Sequence, residues 1–323
     1  MRIDGSYGEG GGQILRTAVV LSCILGEEIE VVNIRKGRKT PGLRNQHIHG
    51  IKLAAEMCNA QTEGLKPKST HIKFIPGKIN GGRYEVDVGT AGSISLILQT
   101  VLPVAIASGE DFEFVLKGGT DVPFSPPIDY YVHALFPLLR KYRVDVEGEV
   151  LERGYYPEGG GMVRVMVRAS DIDKLMIPSR GELRRRTAYF NMRKLPMHIA
   201  NRIRKEIVDF EFVADVRNSG RSRGCSLVLV EEYEKTIIAG DCLCRRGLPA
   251  ERVARIAIDS MGNERTGTVD EHMADHLPVF VFIAGEVQFL AERISKHTKT
   301  NLWLLEQFGA KTEVREKEIH AYI

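Results

Sequence analysis

A run of glycines directly before a predicted helix is the strongest local sign of chemistry in this sequence. Residues 8–13 read Gly-Glu-Gly-Gly-Gly-Gln. Glycines let the backbone approach an anion closely, and the N–H groups and dipole of a helix N-terminus favour a phosphate there. Glu9 is suited to hold Mg²⁺ beside such a phosphate. The run matches neither the P-loop nor the dinucleotide pattern, and a tight strand-to-helix turn is the alternative interpretation.

A strongly basic segment follows at residues 35–44. It carries five cations in ten residues: Arg35, Lys36, Arg38, Lys39 and Arg44. Paired guanidinium groups bind phosphate oxygens bidentately, which suits a nucleic-acid backbone or a terminal phosphate. A solvated basic turn is the alternative. Arg16, one helical turn after the glycine run, would point along the same face as Gln13 and toward the same anion.

Two further segments have residue types that suit a binding site. Residues 89–93, Gly-Thr-Ala-Gly-Ser, open a helix and could cradle a phosphate or a substrate. Gln99 follows in an otherwise apolar helix, where a buried amide needs a partner, either a ligand or the backbone. The loop at residues 121–127 contains three prolines and could provide an apolar wall for a base, although prolines before a helix need no such role.

Histidines stand out in two segments near the C-terminus. His272 and His276 are four residues apart at the start of a predicted helix, with Asp275 near them, so a metal site is one interpretation. The H-E-x-x-H order is absent, which disfavours zinc. His297 lies between a predicted strand at 287–290 and a predicted helix at about 301–308. Thr and Asn donors around it could fix its tautomer, so this histidine is placed like a nucleophile or an acid–base group.

The elements that must position these residues alternate between helix and strand. Helical spacing and strict alternation predict helices at about 13–25, 46–59 and 92–107, and strands at 28–34, 70–75, 84–88 and 112–116. This order is typical of an α/β or α+β domain.

Turn-rich stretches near residues 177–181 and 260–268 bound a segment with a complete pattern of its own. It predicts strands at 182–189, 211–216, 226–231 and 236–241, and helices at about 196–208 and 249–259. We therefore expect a large domain of residues 1–179 and 263–323 and a small inserted domain of residues 180–262.

An internal echo relates residues 7–12 to residues 156–161. The first reads Tyr-Gly-Glu-Gly-Gly-Gly and the second Tyr-Pro-Glu-Gly-Gly-Gly, and each leads into an apolar segment. Duplication of a βα unit and chance recurrence in a chain with 32 glycines are the two interpretations.

Composition excludes several classes of protein. A hydrophobic fraction of 43% and a charged fraction of 27% are typical of globular proteins, so disorder, collagen and coiled coil are excluded. The net charge of +3 is too small for a bulk polycation but allows a local basic patch. With 7% aromatic residues and one tryptophan, we expect no stacking platform like that of an RNA-recognition motif. Nucleic acid would be bound mainly through its phosphates.

Cysteine usage and the N-terminal residues predict a cytoplasmic protein. The five cysteines include no C-x-x-C pair, so neither a disulfide framework nor a zinc ribbon is indicated. The N-terminal residues show no charged-then-apolar leader, and Gln99 and Pro103 interrupt the most apolar run, residues 94–107. We expect no membrane insertion.

Taken together, these motifs resemble those of the RNA 3′-terminal phosphate cyclase family, in the family's order and at matching intervals over essentially the full chain. The matching segments are residues 4–17, 35–47, 89–93, 118–121, 156–161, 239–241 and 297–301. The resemblance implies an α/β (α+β) fold. Its large domain would have three repeated βαβαββ-type units, each similar to the C-terminal domain of a bacterial translation initiation factor, with a small α/β insert.

The resemblance also implies an ATP-dependent reaction in three steps. A histidine attacks the α-phosphate of ATP to give histidine–AMP, and AMP passes to an RNA 3′-phosphate. The adjacent 2′-OH then attacks, which forms a 2′,3′-cyclic phosphate and releases AMP. The implied cofactors are ATP and Mg²⁺ or Mn²⁺, and the implied partner is RNA with a 3′-terminal phosphate. The oligomeric state is left open, a homo-oligomer included.

Carried over residue by residue, the resemblance implies a role for each matching position. His297, in the motif His-x-x-Thr-Asn, would be the nucleophile, and Glu9 would hold the metal. Arg16, Arg38 and Gln46 would lie at the reacting phosphates. The ATP-binding positions would be Gln99, His272, Met273, Ala274, Asp275 and His276, with Pro126 or Pro127 packed on adenine. His272 is a departure, because an aromatic ring is expected there to stack on adenine.

Two other functions compete with an active cyclase. A non-catalytic relative could bind RNA during ribosome assembly on the same fold, but such relatives lack the nucleophilic histidine that this chain retains. An enolpyruvyl transferase has a related fold but needs twice the repeats. A chain of 323 residues with an insert of about 80 cannot supply them.

Overall fold

The computed structural model describes residues 1–262 and 266–323, which form a mixed α/β protein with four four-stranded sheets. Three of these sheets repeat one topology. Numbered along the chain within each unit, the strands lie in the order 1-2-4-3. The first two strands pair in parallel, and the other pairs are antiparallel. The α/β class predicted from the sequence is therefore confirmed.

The first unit contains the glycine run. Its elements are β1 (Arg2–Asp4), α1 (Gln13–Leu25), β2 (Ile29–Val32), α2 (Asn45–Met57), β3 (Gln61–Glu63) and β4 (Ile72–Ile75). Helix α1 is apolar on nearly every side and is buried over its first 11 residues. It ends at Gly26, whose left-handed backbone (φ 69°) lets its N–H donate to the Ser22 carbonyl. The boundaries of α1 match the prediction.

The second unit supplies the helix that carries Gln99. Its elements are β5 (Gly82–Asp87), α3 (Ile94–Ser108), β6 (Phe112–Gly118), α4 (Ile128–Tyr130), a π-helix (Tyr131–Leu135), α5 (Phe136–Lys141), β7 (Asp145–Glu152) and β8 (Gly161–Arg168). The Ser93 side chain accepts a hydrogen bond from the Leu96 amide and so caps α3.

The third unit is interrupted by a segment with its own sheet. In chain order the elements are β9 (Leu175–Ile177), then β10 (Leu183–Arg193), α6 (His198–Glu206), β11 (Glu211–Arg217), β12 (Gly224–Tyr233), β13 (Ile237–Leu243) and α7 (Ala250–Ser260), then α8 (Glu271–His276), a 3-10 helix (Leu277–Phe280), α9 (Val281–Ala284), β14 (Glu286–Leu290), α10 (Lys296–Gln307), β15 (Lys311–Arg315) and β16 (Glu318–Tyr322). Strands β9 and β14 pair in parallel across this segment.

The inserted sheet has the order β11-β10-β12-β13, and its strand β12 is buried on both faces. Along β12, Leu227 and Leu229 pack in a separate core with α6 and α7, whereas Val228 and Val230 join the main core. Side chains of a strand alternate between faces, so this sheet packs against its own helices and against the large repeated body. The domain boundaries stay a prediction, and residue 263 lies outside the described residues.

The internal echo does not mark the structural repeat. Residues 7–12 lie between β1 and α1, whereas residues 156–161 lie between β7 and β8, the last two strands of their unit. The position in the second unit that corresponds to residues 7–12 is the loop at residues 89–93. Duplication of a βα unit is therefore the wrong interpretation of the echo.

The cysteines depart from the sequence expectation. Cys225 and Cys244 form a disulfide, and Cys23, Cys58 and Cys242 are free and buried. Ser226 lies opposite Leu243 in the antiparallel β12–β13 pair, so the next residues outward are neighbours. This pairing follows from strand register, which cysteine spacing alone does not reveal. Among residues 1–262 and 266–323, no helix is both long and apolar enough to cross a membrane.

Candidate active site

The glycine run is shaped by its contact with the start of α10. Gly8 and Gly10 both have φ +60°, a conformation that L side chains rarely adopt. A Cβ at Gly8 would overlap the hydroxyl of Thr300, and that hydroxyl accepts a hydrogen bond from the Glu9 amide at 3.3 Å. The missing side chain thus lets the loop lie against α10, which brings Glu9 to the helix that carries His297.

Glu9 lies between a cation and the predicted nucleophile. Its carboxylate forms an ion pair with Arg38, and its Oε2 atom is 3.9 Å from Nδ1 of His297. Both Oε2 and this Nδ1 are buried, and neither has a hydrogen-bond partner among the described residues. Polar atoms in that condition are costly unless something binds them, so the pair fits a site for a polar ligand.

His297 is held at the first turn of α10 by a small hydrogen-bond cluster. Ser295 caps the helix through the Thr298 amide, and the hydroxyls of Ser295 and Thr298 both donate to Oδ1 of Asp275 at 2.6 Å. The helix begins at Lys296, so the predicted start near 301 is wrong. Residues 296–300 lack the apolar spacing that marks a helix, and their helical structure was therefore not visible in the sequence. Burial lowers the pKa of His297. The charge of Asp275 opposes this shift, and those of Arg16 and Arg38 reinforce it, so the ring is neutral near pH 7.

Arg16 is a buried cation with a fixed orientation. Its Nε donates to Oε1 of Gln99 at 2.8 Å and its Nη2 to Oε1 of Gln13 at 2.9 Å. Burial lowers the pKa of Arg16 to about 10, which leaves the side chain charged at neutral pH. The structure thus brings two sequence-predicted residues, Arg16 and Gln99, into direct contact. They lie on α1 and α3, and Gln99 lines a pocket together with Asp275, His276 and Asn301.

The start of α2 contributes a residue that sequence reasoning missed. Gln46 is half-buried in the first turn, but its neighbour His47 is the buried one, at 4% exposure. Nδ1 of His47 accepts a hydrogen bond from the Arg44 amide at 3.1 Å, and a Cβ at Gly12 would overlap Nε2 of the same ring. Burial, with the charges of Arg16 and other arginines, lowers the pKa of His47 to about 3. The sequence signal that could have identified His47 is its position directly after Gln46, in a segment that matches the family motifs.

The histidines of α8 are engaged in hydrogen bonds rather than arranged around a metal. Nε2 of His272 is 2.9 Å from Oδ1 of Asp241, which is on the inserted sheet. The ring nitrogens of His276 contact the His272 carbonyl and the Tyr131 hydroxyl. Burial disfavours the charged form of His272, but Asp241 outweighs it and raises the pKa to about 9. Burial lowers the pKa of His276 to about 4.

The remaining residues predicted to bind the nucleotide differ in which of their atoms are available to it. The side chains of Met273 and Ala274 are wholly buried in the main core, which leaves only their backbone for a nucleotide. Pro126 is anchored through its carbonyl, which accepts a hydrogen bond from the Ser95 hydroxyl at 2.8 Å. No cluster of three or more His, Cys, Asp or Glu side chains suited to a metal occurs in the described part of the chain. Glu9 is a single carboxylate, and such a residue fits Mg²⁺ that takes its other ligands from phosphate and water.

The family model and the relatives that match this chain carry the same name. Residues 7–314 match the family model described as RNA 3′-terminal phosphate cyclase. The chain is 42% identical to the RNA 3′-terminal phosphate cyclase of Methanopyrus kandleri, over 98% of this chain and 96% of that protein. It is 39% identical to the proteins of that name from Methanosarcina barkeri and Pyrococcus furiosus. These matches cover 98% and 96% of this chain and 97% and 93% of the relatives.

Proposed function

The chain belongs to the RNA 3′-terminal phosphate cyclase family and is an enzyme of that class, and from this premise we propose how its residues carry out the reaction. The substrates are ATP and an RNA with a 3′-terminal phosphate, and the product is a 2′,3′-cyclic phosphodiester. The reaction passes through enzyme–histidine–AMP and RNA-(3′)pp(5′)A.

The observation that carries the proposal is the pair formed by His297 and Glu9. Their facing atoms, Nδ1 and Oε2, are buried 3.9 Å apart, and neither has a hydrogen-bond partner among the described residues. A neutral imidazole is a competent nucleophile, and the lowered pKa keeps the His297 ring neutral. In the first step the ring attacks the α-phosphorus of ATP. The bond to the bridging oxygen of the β-phosphate breaks, and pyrophosphate leaves.

In the second step an oxygen of the RNA 3′-phosphate attacks the same phosphorus, and the bond to His297 breaks. In the third, the 2′-OH attacks the RNA 3′-phosphorus and AMP departs. Each transition state develops negative charge on phosphoryl oxygens, which fixed cations stabilise. Arg16, held by Gln13 and Gln99, and Arg38 provide these cations. Because Arg38 is ion-paired with Glu9, phosphate binding exchanges one anionic partner of Arg38 for another.

Glu9 would hold Mg²⁺ or Mn²⁺ together with the phosphates, and such an ion would neutralise charge on the transferred phosphoryl group. The ATP-binding positions are Gln99, Pro126 and the segment at residues 272–276. His272, kept charged by Asp241, would face the base where relatives are expected to place an aromatic ring. A cytoplasmic location is part of the same proposal.

The test is self-adenylation with ATP labelled at the α-phosphate. Purified protein, His297→Ala and the matched control His198→Ala, which changes an exposed histidine of the insert, are incubated with Mg²⁺ and labelled ATP. We expect acid-labile, alkali-stable label on the parent and on His198→Ala, and none on His297→Ala. Label that persists on His297→Ala would refute the assigned nucleophile. Failure of the labelled parent to close an RNA 3′-phosphate would refute the later steps.

A further inference from the structure

Two aromatic rings stack beside the candidate active site. The ring centroids of Tyr7 and Trp303 are 3.8 Å apart, with 19° between the planes. Tyr7 is 43% exposed, and Trp303, the only tryptophan of the chain, is half-buried beneath it. An exposed aromatic ring supported from behind by a second ring is a rigid, flat surface on which a further planar group can stack.

This pair is held at a defined distance from the predicted nucleophile. Tyr7 is two residues before Glu9, and Trp303 follows His297 by six residues on α10. Six residues of helix rise by about 9 Å, which sets the spacing of the two residues along the helix axis. Thr300, midway between them, contacts the glycine run at Gly8, so Tyr7 is fixed to the helix that carries His297.

Cations lie on the helix that carries Trp303 and at Glu9, two residues after Tyr7. Lys299 is exposed and precedes Trp303 by four residues on α10, so the two side chains lie on one helix face. Lys296 is also exposed on the first turn, and Arg38 reaches the Glu9 carbonyl at 3.3 Å. Aromatic rings beside cations that follow a phosphate backbone are the arrangement by which proteins bind single-stranded nucleic acid.

We propose that the outer face of Tyr7, supported by Trp303, stacks on the nucleobase of the 3′-terminal nucleotide of the RNA. The inference rests on the proposed function for its substrate class and adds a contact to the base. Stacking is tolerant of base identity because every base has a flat face. The platform therefore strengthens binding of an RNA end without selecting a sequence.

The experiment removes the base and the ring in turn. Two RNA oligonucleotides with a 3′-phosphate are compared, one complete and one abasic at the terminal nucleotide, by Kd from fluorescence anisotropy and by KM and kcat for cyclisation. For the parent we expect the abasic end to bind about 10-fold more weakly, within the range of about 5- to 150-fold that stacking contacts give, with the larger change in KM. Tyr7→Phe keeps this ratio, and Tyr7→Ala and Tyr7→Leu reduce it to about 1.

The ratio between the two RNAs is measured within each variant, so a general loss of activity does not change it. Tyr7→Leu keeps Trp303 covered without supplying a π face, which guards against misfolding of the alanine variant. Tyr156→Ala, which removes a tyrosine that is 67% exposed in another unit, keeps the parental ratio. A parent ratio near 1, or an unchanged ratio in both Tyr7→Ala and Tyr7→Leu, overturns the platform.

Failure of the platform and failure of the proposed function are separable. Self-adenylation needs no RNA, so a labelled parent with no base effect refutes the platform alone. An unlabelled parent refutes the proposed chemistry, and the Kd ratio of the two RNAs still decides whether Tyr7 stacks on the terminal base.

Discussion

Acid is expected to destabilise the protein through His47, and the size of the effect follows from its surroundings. The ring is 4% exposed and lies among the charges of Arg16, Arg35 and Arg44, so its pKa falls from 6.5 to about 3. Below pH 6.5 the unfolded chain takes up a proton at this residue that the folded protein does not. The free energy of unfolding therefore decreases as the pH falls toward about 3.

The two pKa values set the magnitude. From 6.5 in the unfolded chain and about 3 in the folded protein, the loss attributable to His47 is about 2 kcal/mol between pH 8 and pH 5. It approaches about 5 kcal/mol below pH 3. Urea denaturation followed by Trp303 fluorescence measures the stability at each pH. His47→Gln keeps an acceptor for the Arg44 amide but cannot take up a proton, so it should lose about 2 kcal/mol less than the parent over this interval.

Other groups titrate in both the parent and His47→Gln, so their contributions to the free energy of unfolding cancel when the two proteins are compared. Buried His276, with a pKa of about 4, contributes an acid loss of the same sign to parent and variant alike. The control His198→Gln changes an exposed histidine and should follow the parent. If His47→Gln and the parent lost equal stability between pH 8 and pH 5, His47 would not be held neutral by its burial and the neighbouring arginines.

Three further results are expected. Gly12→Ala should slow self-adenylation by about 100-fold, the scale of a small misplacement of reacting groups, because its Cβ would overlap the ring of His47. The control Gly37→Ala adds a Cβ that meets nothing within 4 Å, and equal rates for the two variants would contradict this prediction. Arg38→Ala should raise the pKa of His297 and move the acid limb of self-adenylation to higher pH; an unmoved limb would count against it. Gln99→Ala leaves the Nε of a buried guanidinium unpaired and should cost about 1–3 kcal/mol in urea denaturation; a cost near zero would be evidence that another group or water replaces the amide.

The elements that sequence could predict are those with a local signal. Helix α1 carries a dense apolar pattern bounded by glycines, and its boundaries were predicted correctly. Strand β3 has three residues, all exposed, so no alternation marks it. The start of α10 is polar because Ser295 and Thr298 bind Asp275, a partner 20 residues or more away in the chain. Strand order and register are set by contacts between segments that are distant in the chain. The Cys225–Cys244 disulfide depends on that register, so the sequence did not predict it.

The site shows the same division. The types of residue at positions 9, 16, 38 and 297 were visible as motifs, but the distance between Glu9 and His297 was not, because the two residues are 288 positions apart in the chain. The platform was missed for the same reason. Tyr7 and Trp303 lie near opposite ends of the chain, and an aromatic fraction of 7% carries no information on which rings meet. A contact to an RNA base was therefore not predictable from the sequence, which indicated binding mainly through the phosphates.

The helix between the first two strands of each unit differs from unit to unit in how its N-terminus is capped. In the described part of the chain, the counterparts of α1 are α3 and α8, which are capped by the side chains of Ser93 and Asp270 respectively. The N-cap of helix α1 is Gly12, which has no side chain to accept from the first turn, so those amides keep their capacity to bind an anion. The units share a backbone plan, and the residue at the start of each helix decides the outcome. A glycine in this position of the first unit leaves the first-turn amides of α1 open to the phosphate that the proposed function requires, directly beside Arg16.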